Sequence, residues 1–302
     1  MYPITQLPAP DGTVADGNTL VSRFPRSREI RAFDLSFLRA SDAAQTRVLV
    51  GTEVSQVDIE ADGRPLVHRC TTLDLQASMD YHGTKLGGSA ANDSHLLIPM
   101  VDAAAPPVQD PRNPGSWFSG ESLALGTEGL GSLECRLILG TLDVTTPLVR
   151  VRPYAHQTRT NGPPGLVRRY IRQDESGWST VAKSLSLIRR PGEVMRRAHI
   201  VGWGSGVLAT VEIYQGGQLV QRISAPRDLD RLAQDRGYTV QSGYRHLELG
   251  RVGHVLDGLS MDPADSPDIQ LTWSTAPDSG SFRVMYDMST EWSALGQPAQ
   301  AA

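Results

Sequence analysis

The sequence predicts an all-β protein made of two tandem β-sandwich units, each with one short helix among its strands. Three observations predict it: short runs that alternate apolar and polar residues, a chain dense in turn formers, and a similarity of the chain to itself at an offset of 154 residues. The 302 residues suffice for two domains, and 29 Gly with 20 Pro leave room for few long helices.

Alternation is clearest in Val57-Asp58-Ile59-Glu60, Leu133-Glu134-Cys135-Arg136-Leu137, Val211-Glu212-Ile213-Tyr214, Ile269-Gln270-Leu271-Thr272-Trp273 and Phe282-Arg283-Val284-Met285-Tyr286. Successive side chains of a strand point to opposite faces. Such runs therefore put one face on a core and one toward water, as in antiparallel sandwiches rather than doubly wound parallel sheets.

The repeat aligns 57–83 with 211–237 without gaps, with identical pairs Val57/Val211, Ile59/Ile213, Gly63/Gly217, Asp74/Asp228, Leu75/Leu229 and Gly83/Gly237 and a conservative Leu66/Val220. The shared plan tells more than the identities: strand, tight turn, strand, short helix, glycine. Asp62-Gly63 and Gly216-Gly217 supply the positive-φ pair of a two-residue hairpin turn. Thr71-Thr72 and Ser224 are N-cap candidates, and Asp74, Asp228 and Pro226 suit a first helical turn. Leu75 with Met79, and Leu229 with Leu232 and Ala233, are expected on the buried helix faces, with Gly83 and Gly237 as terminators.

Flanking strands extend the match. Residues 30–35 lie on 195–200 at an offset of 165, and 133–137 on 269–273 at an offset of 136, so the first copy carries 18 extra residues in its Pro/Gly/Ser-rich stretch 103–131. The predicted boundaries are an extended N-terminal arm over 1–17, a first β unit over 18–157, a linker over 158–165, a second unit over 166–290 and a tail over 291–302.

Composition removes several functions. Lys+Arg (29) and Asp+Glu (33) nearly cancel, which argues against a nucleic-acid partner for the molecule as a whole, and 39% hydrophobic residues argue against a disordered chain. No basic stretch followed by an apolar run opens the sequence, so no secretory signal is predicted and synthesis in a cytoplasm is expected. Cys70 and Cys135 are too few for a disulfide scaffold and are expected as small buried side chains.

Gly83-Thr84-Lys85 lacks the order of a phosphate-binding loop, and Gly202-Trp203-Gly204-Ser205-Gly206 has Trp203 where a nucleophile elbow needs glycine. The histidines at 68, 82, 95, 156, 199, 246 and 254 include no pair at i, i+4 spacing. No catalytic, cofactor-binding or metal-ligating residues are predicted, and no cofactor. The loop bearing Asp257, Asp262, Asp265 and Asp268 is where a structural calcium ion would be sought, but it lacks the EF-hand pattern and reads as a capped, turn-rich loop in preference to a calcium site. Charge is uneven: residues 150–197 hold ten Arg and Lys183 against Asp174, Glu175 and Glu193. These arginines read either as solvated residues on polar strand faces or as a surface for anionic lipid or nucleic acid.

Two tandem β units, each with a Val-x-Ile-x-x-x-Gly hairpin and an Asp-Leu helix before glycine, carry a resemblance. Val57 to Gly63 with Thr72-Leu73-Asp74-Leu75, Val211-Glu212-Ile213 with Asp228-Leu229 through Arg236-Gly237-Tyr238, then Ser242 to Leu247, Leu256-Asp257 and Leu271 to Pro277 follow in that order. The chain resembles the double jelly-roll major capsid proteins of tailless, membrane-containing icosahedral bacteriophages, the corticovirus type of the tectivirus and adenovirus lineage. The resemblance spans residues 18–288 and departs at the insertion before Leu130. It implies two eight-stranded jelly rolls, and three chains forming a pseudo-hexagonal capsomer. Capsomers would tile a virion shell over an internal membrane, with minor capsid, vertex and membrane proteins as partners. It implies no catalysis. On this reading Arg168, Arg169, Arg189 and Arg190 are expected at a membrane-facing base. The competing expectations are a tandem β-sandwich that binds carbohydrate, with Trp117-Phe118 as its aromatic pair, and a β-sandwich hydrolase, for which the sequence shows no convergent acid/base set.

Overall fold

In a computed structural model the described residues are 4–39, 53–81, 95–102, 108–110, 113–118, 120–144, 147–224, 226–235, 238–240, 243–250, 258–296 and 300–301. The chain divides into two compact units, one of Met1–Ala103 with Gly120–Arg169, the other of Ala104–Ser119 with Tyr170–Ala302.

Strands β1 (Ile4–Gln6), β2 (Thr19–Arg23), β3 (Ile30–Arg39), β4 (Val54–Ala61) and β5 (Arg64–Cys70) lead to helix α1 (Thr72–Tyr81) and β6 (His95–Pro99). A hairpin of β7 (Val108–Asp110) and β8 (Asn113–Phe118) groups with the second unit; β9 (Leu133–Leu139) and β10 (Leu148–Gln157) return to the first. The first unit thus holds two antiparallel four-stranded sheets, ordered β1-β10-β3-β6 and β5-β4-β9-β2.

β11 (Leu166–Glu175) begins in the first unit and continues in the second. There follow β12 (Lys183–Ser184), β13 (Ile188–Arg189), β14 (Glu193–Val201), β15 (Val207–Gln215), β16 (Gln218–Ser224), α2 (Pro226–Asp235), β17 (Tyr244–Glu248), β18 (Leu259–Ser260), β19 (Asp268–Thr275), β20 (Phe282–Glu291) and β21 (Gln300–Ala301). They form sheets ordered β11-β20-β14-β17, with β18 also on β14, and β12-β19-β15-β16; β13 pairs with β21.

The strand order is the same in both units, β1, β10, β3 and β6 standing where β11, β20, β14 and β17 stand, and β5, β4, β9 and β2 where β16, β15, β19 and β12 stand. Each unit is an eight-stranded jelly roll. The 154-residue offset carries β5 onto β16 and α1 onto α2 end for end. Asp62-Gly63 and Gly216-Gly217 all have positive φ, between 50° and 73°, so the hairpin turn that both sequences call for is formed. Even the bulge repeats, between Ile59 and Glu60 and between Ile213 and Tyr214.

The cores follow the alternation. In the second unit Val211, Ile213, Ile269, Leu271 and Trp273 from one sheet and Met195, Ala198, Ile200, Val284 and Tyr286 from the other join one cluster, with Leu229 of α2. In the first, Val57, Ile59, Cys135, Leu137, Phe33 and Leu35 are all buried, and Phe24 meets Phe33 edge to face at 4.8 Å.

Four expectations need correction. The offset between β9 and β19 is 134, not 136: Ile59 faces Cys135 and its counterpart Ile213 faces Ile269. A two-residue slip keeps every side chain on its face, so alternation cannot detect it. The alternation expected in 282–286 fails at Met285, which is buried because β20 is covered on both faces. Leu232 is 38% exposed rather than part of the α2 core face, which Leu229 alone of the pair supplies. Ser224 ends β16 instead of capping α2, whereas Thr71 does cap α1, its Oγ1 accepting from Asp74 N at 3.1 Å. Gly83 and Gly237 lie outside the described residues, as do the side chains of Ala233, Trp117 and Phe118.

The termini and the 158–165 segment are tied into the sheets. Ile4–Gln6 pairs with β10, Leu7 N donates to Pro153 O, and Asp11 bridges Val21. Thr158 N donates to Glu29 O and Glu128 N to Gly162 O, while Asn161 Oδ1 accepts from both N and Oγ1 of Thr127. Gly126 permits this approach, since a Cβ there would lie 2.4 Å from Pro163 O.

Candidate functional site

His199 and His246 stand opposite each other on β14 and β17, both buried, their Nδ1 atoms 2.6 Å apart, so one ring donates and the other accepts. Burial and the neighbouring His199 and Arg245 push His246 down to about 2, which keeps its ring neutral. On the same face Arg197 is 1% exposed; its Nε donates to Glu248 Oε1 at 2.9 Å and its Nη1 to Asp287 Oδ2 at 2.9 Å, with the Tyr238 hydroxyl accepting at 3.4 Å. Burial pushes the Glu248 carboxyl up, against the pull of Arg197. This is a desolvated ion cluster with its partners in place, linking β14, β17 and β20. In the first unit the corresponding face carries a His156 Nε2 to Asp34 Oδ2 contact of 3.3 Å.

The arginine expectation is overturned in both its forms for half of its residues. Arg168 and Arg169 are 2% and 1% exposed, so they are neither solvated nor available to lipid. β11 has no polar face over 166–171, and its guanidinium groups serve as clips, Arg168 Nη1 on Val101 O and Arg169 Nε on Pro65 O. Arg189 is half-buried and donates to Pro267 O. Spacing alone gave no sign of this, because an arginine on a strand covered from both sides looks in sequence like one facing water.

In the acidic loop Asp257 lies outside the described residues. Asp262 caps a short turn by accepting from Ala264 N, and Asp268 accepts from Ser184 and Gln270. Among the described residues no three or more His, Cys, Asp or Glu gather as metal ligands. Both cysteines are buried thiols, and burial pushes that of Cys135 far up. Among the described residues no helix is long and apolar enough to cross a membrane.

What remains as a candidate is surface. The exposed apolar residues include Leu219 and Val220 on β16, at 49% and 62%, with Leu232 on α2 in the same unit, and Ile4 on β1, at 59%. β16 is the last strand of its sheet and β1 the first strand of its own. Sheet edges with exposed apolar residues are pairing templates.

Two jelly rolls in one chain, in the same strand order, define the double jelly-roll class. Solved structures of that class match along the whole chain, and they are major capsid proteins. The P2 protein of bacteriophage PM2 aligns with a TM-score of 0.77 at 16% identity, covering 97% of this chain and 98% of that one. The major capsid protein of STIV aligns at 0.63 and 12% identity over 95% and 96%, and the PBCV-1 capsid protein at 0.59 and 11% over 100% and 96%. No family model matches the chain, and no curated protein does.

Proposed function

We propose that the chain is the major capsid protein of an icosahedral virus, a structural protein without catalytic activity. The observation that carries this is the internal duplication: two jelly rolls with one strand order in one polypeptide, matched end to end by the PM2 capsid protein. Two similar lobes per chain give six per trimer, which suits hexagonal positions of a closed lattice. The working unit is therefore a homotrimeric, pseudo-hexameric capsomer. It is made in the host bacterial cytoplasm and assembled into a shell over an internal lipid membrane, beside minor capsid, vertex and membrane proteins. The His and Arg clusters fit a structural part, since they are buried and engaged within the fold. No observation favours a carbohydrate-binding reading.

Light scattering of the purified protein tests the proposal. It should give about 98 kDa, three times the 32.8 kDa chain, and negative-stain images should show hexagonal outlines. A monomer at milligram concentrations would sink it.

A further inference from the structure

The two repeats bury the same surface differently. In the first unit Leu66 on β5 is fully buried, and on α1 Asp74 and Ser78 are 1% and 2% exposed. Their counterparts 154 residues on are open: Val220 on β16 is 62% exposed, Leu232 on α2 is 38% exposed, and Asp228 is exposed. Sequence chemistry does not explain the difference, because Leu66 and Val220 are both apolar and sit at the same place in the same hairpin.

The first unit's edge is closed by the chain itself. The opening residues of β11, Leu166–Arg169, run beside β5, with Arg169 Nε on Pro65 O. Pro65 is the counterpart of Leu219. The element that stands in the first repeat where β11 stands in the second is β1, and β1 has its outer edge open with Ile4, Thr5 and Gln6 all exposed. Thus β5 has β11 beside it, whereas β16 and β1 are terminal strands, and these two are the repeat counterparts of the pair that meets at β5. Ile4-Thr5-Gln6 bears no charge or proline, and on β16 the one charge, Arg222, pairs with Glu212 of β15, so Gln218 to Gln221 lack the devices that keep natural edges apart.

We infer that the β16 edge, through Leu219 and Val220, is the surface on which a second copy of this chain docks, and that it receives the β1 edge of that copy. The contact is heterologous, head of one chain to tail of the next, the kind that makes a ring when the rotation closes. That the ring closes at three rests on the capsomer reading above.

The test compares the wild type with the double variant Leu219→Glu, Val220→Glu. Both positions are exposed, so the fold and far-UV circular dichroism should be unchanged while the mass by light scattering falls threefold, to one chain. Val181→Glu, at a 71% exposed site on neither edge, should stay assembled. A double variant that remains trimeric overturns this inference and leaves the capsid reading standing, whereas a monomeric wild type overturns both. Should the double variant misfold, Gln6→Cys with Leu219→Cys on the intact trimer decides the matter, since the native cysteines are buried. A short bis-maleimide should link chains in the pair and in neither single variant; absence of inter-chain links in the pair overturns the inference.

Discussion

At the scale of single residues, the buried charges decide stability. Arg197 neutralises Glu248 and Asp287, whose side chains are 6% and 0% exposed. Removing one member of a desolvated cluster leaves the others uncompensated, which costs about 3–5 kcal/mol. Arg197→Met should therefore lose that much in urea unfolding at neutral pH, far more than Arg222→Met, whose partner Glu212 it meets at a mostly exposed site. His246 adds a pH dependence. Its folded value is about 2 against an ordinary 6.5, so between these the unfolded chain binds a proton that the folded one does not. Its contribution is complete above pH 6.5 and shrinks as pH falls, by up to about 1.4 kcal/mol per unit. The face around it holds His199, Arg197, Glu248, Asp287 and Arg283, with Tyr244 stacked on its ring and Arg245 beside it in the strand on the other face. Glu248, raised by burial, acts oppositely, losing stability as pH rises. Comparison with His246→Asn separates the two: between pH 7.5 and 5 the wild type should lose ~2 kcal/mol more than the variant, and equal losses would exclude His246 as the source.

At the scale of elements, the sequence was most legible where physics repeats locally. The hairpin turns need two positive φ angles, which Asp62-Gly63 and Gly216-Gly217 announce, and the helices that follow begin 154 residues apart as the alignment requires. The N-cap of α1 was legible for the same reason, and Thr71→Ala should cost about 1 kcal/mol in thermal unfolding, where Thr71→Ser should cost nothing measurable. Less was legible in strands covered on both faces. β11, β14 and β20 bury arginine, histidine and aspartate beside apolar residues, so alternation no longer separates core from water. Register escaped as well, since a slip of two residues changes partners without changing faces. The candidate surface was hidden for a related reason: Leu66 and Val220 are equivalent in sequence, and only the neighbours that each one has in the fold tell them apart.

At the scale of the whole molecule, duplication supplies a reason to assemble. On the docking inferred above, a second chain covers the β16 edge, which the chain itself leaves exposed. Assembly then adds to stability by mass action, because a partner that binds only the folded chain shifts unfolding in proportion to the logarithm of its free concentration. The thermal midpoint of the wild type should accordingly rise when protein concentration is raised a hundredfold. The coupling is worth about 2.3 kcal/mol per contact that starts near its own dissociation constant. The Leu219→Glu, Val220→Glu protein should show a midpoint that does not move with concentration and that meets the wild-type value at high dilution. Differential scanning calorimetry over that range checks both arms. A wild-type midpoint independent of concentration, in a protein that is trimeric by mass, would mean that trimers outlast the folded state of their own subunits, and that the interface is carried by more than the β16 edge.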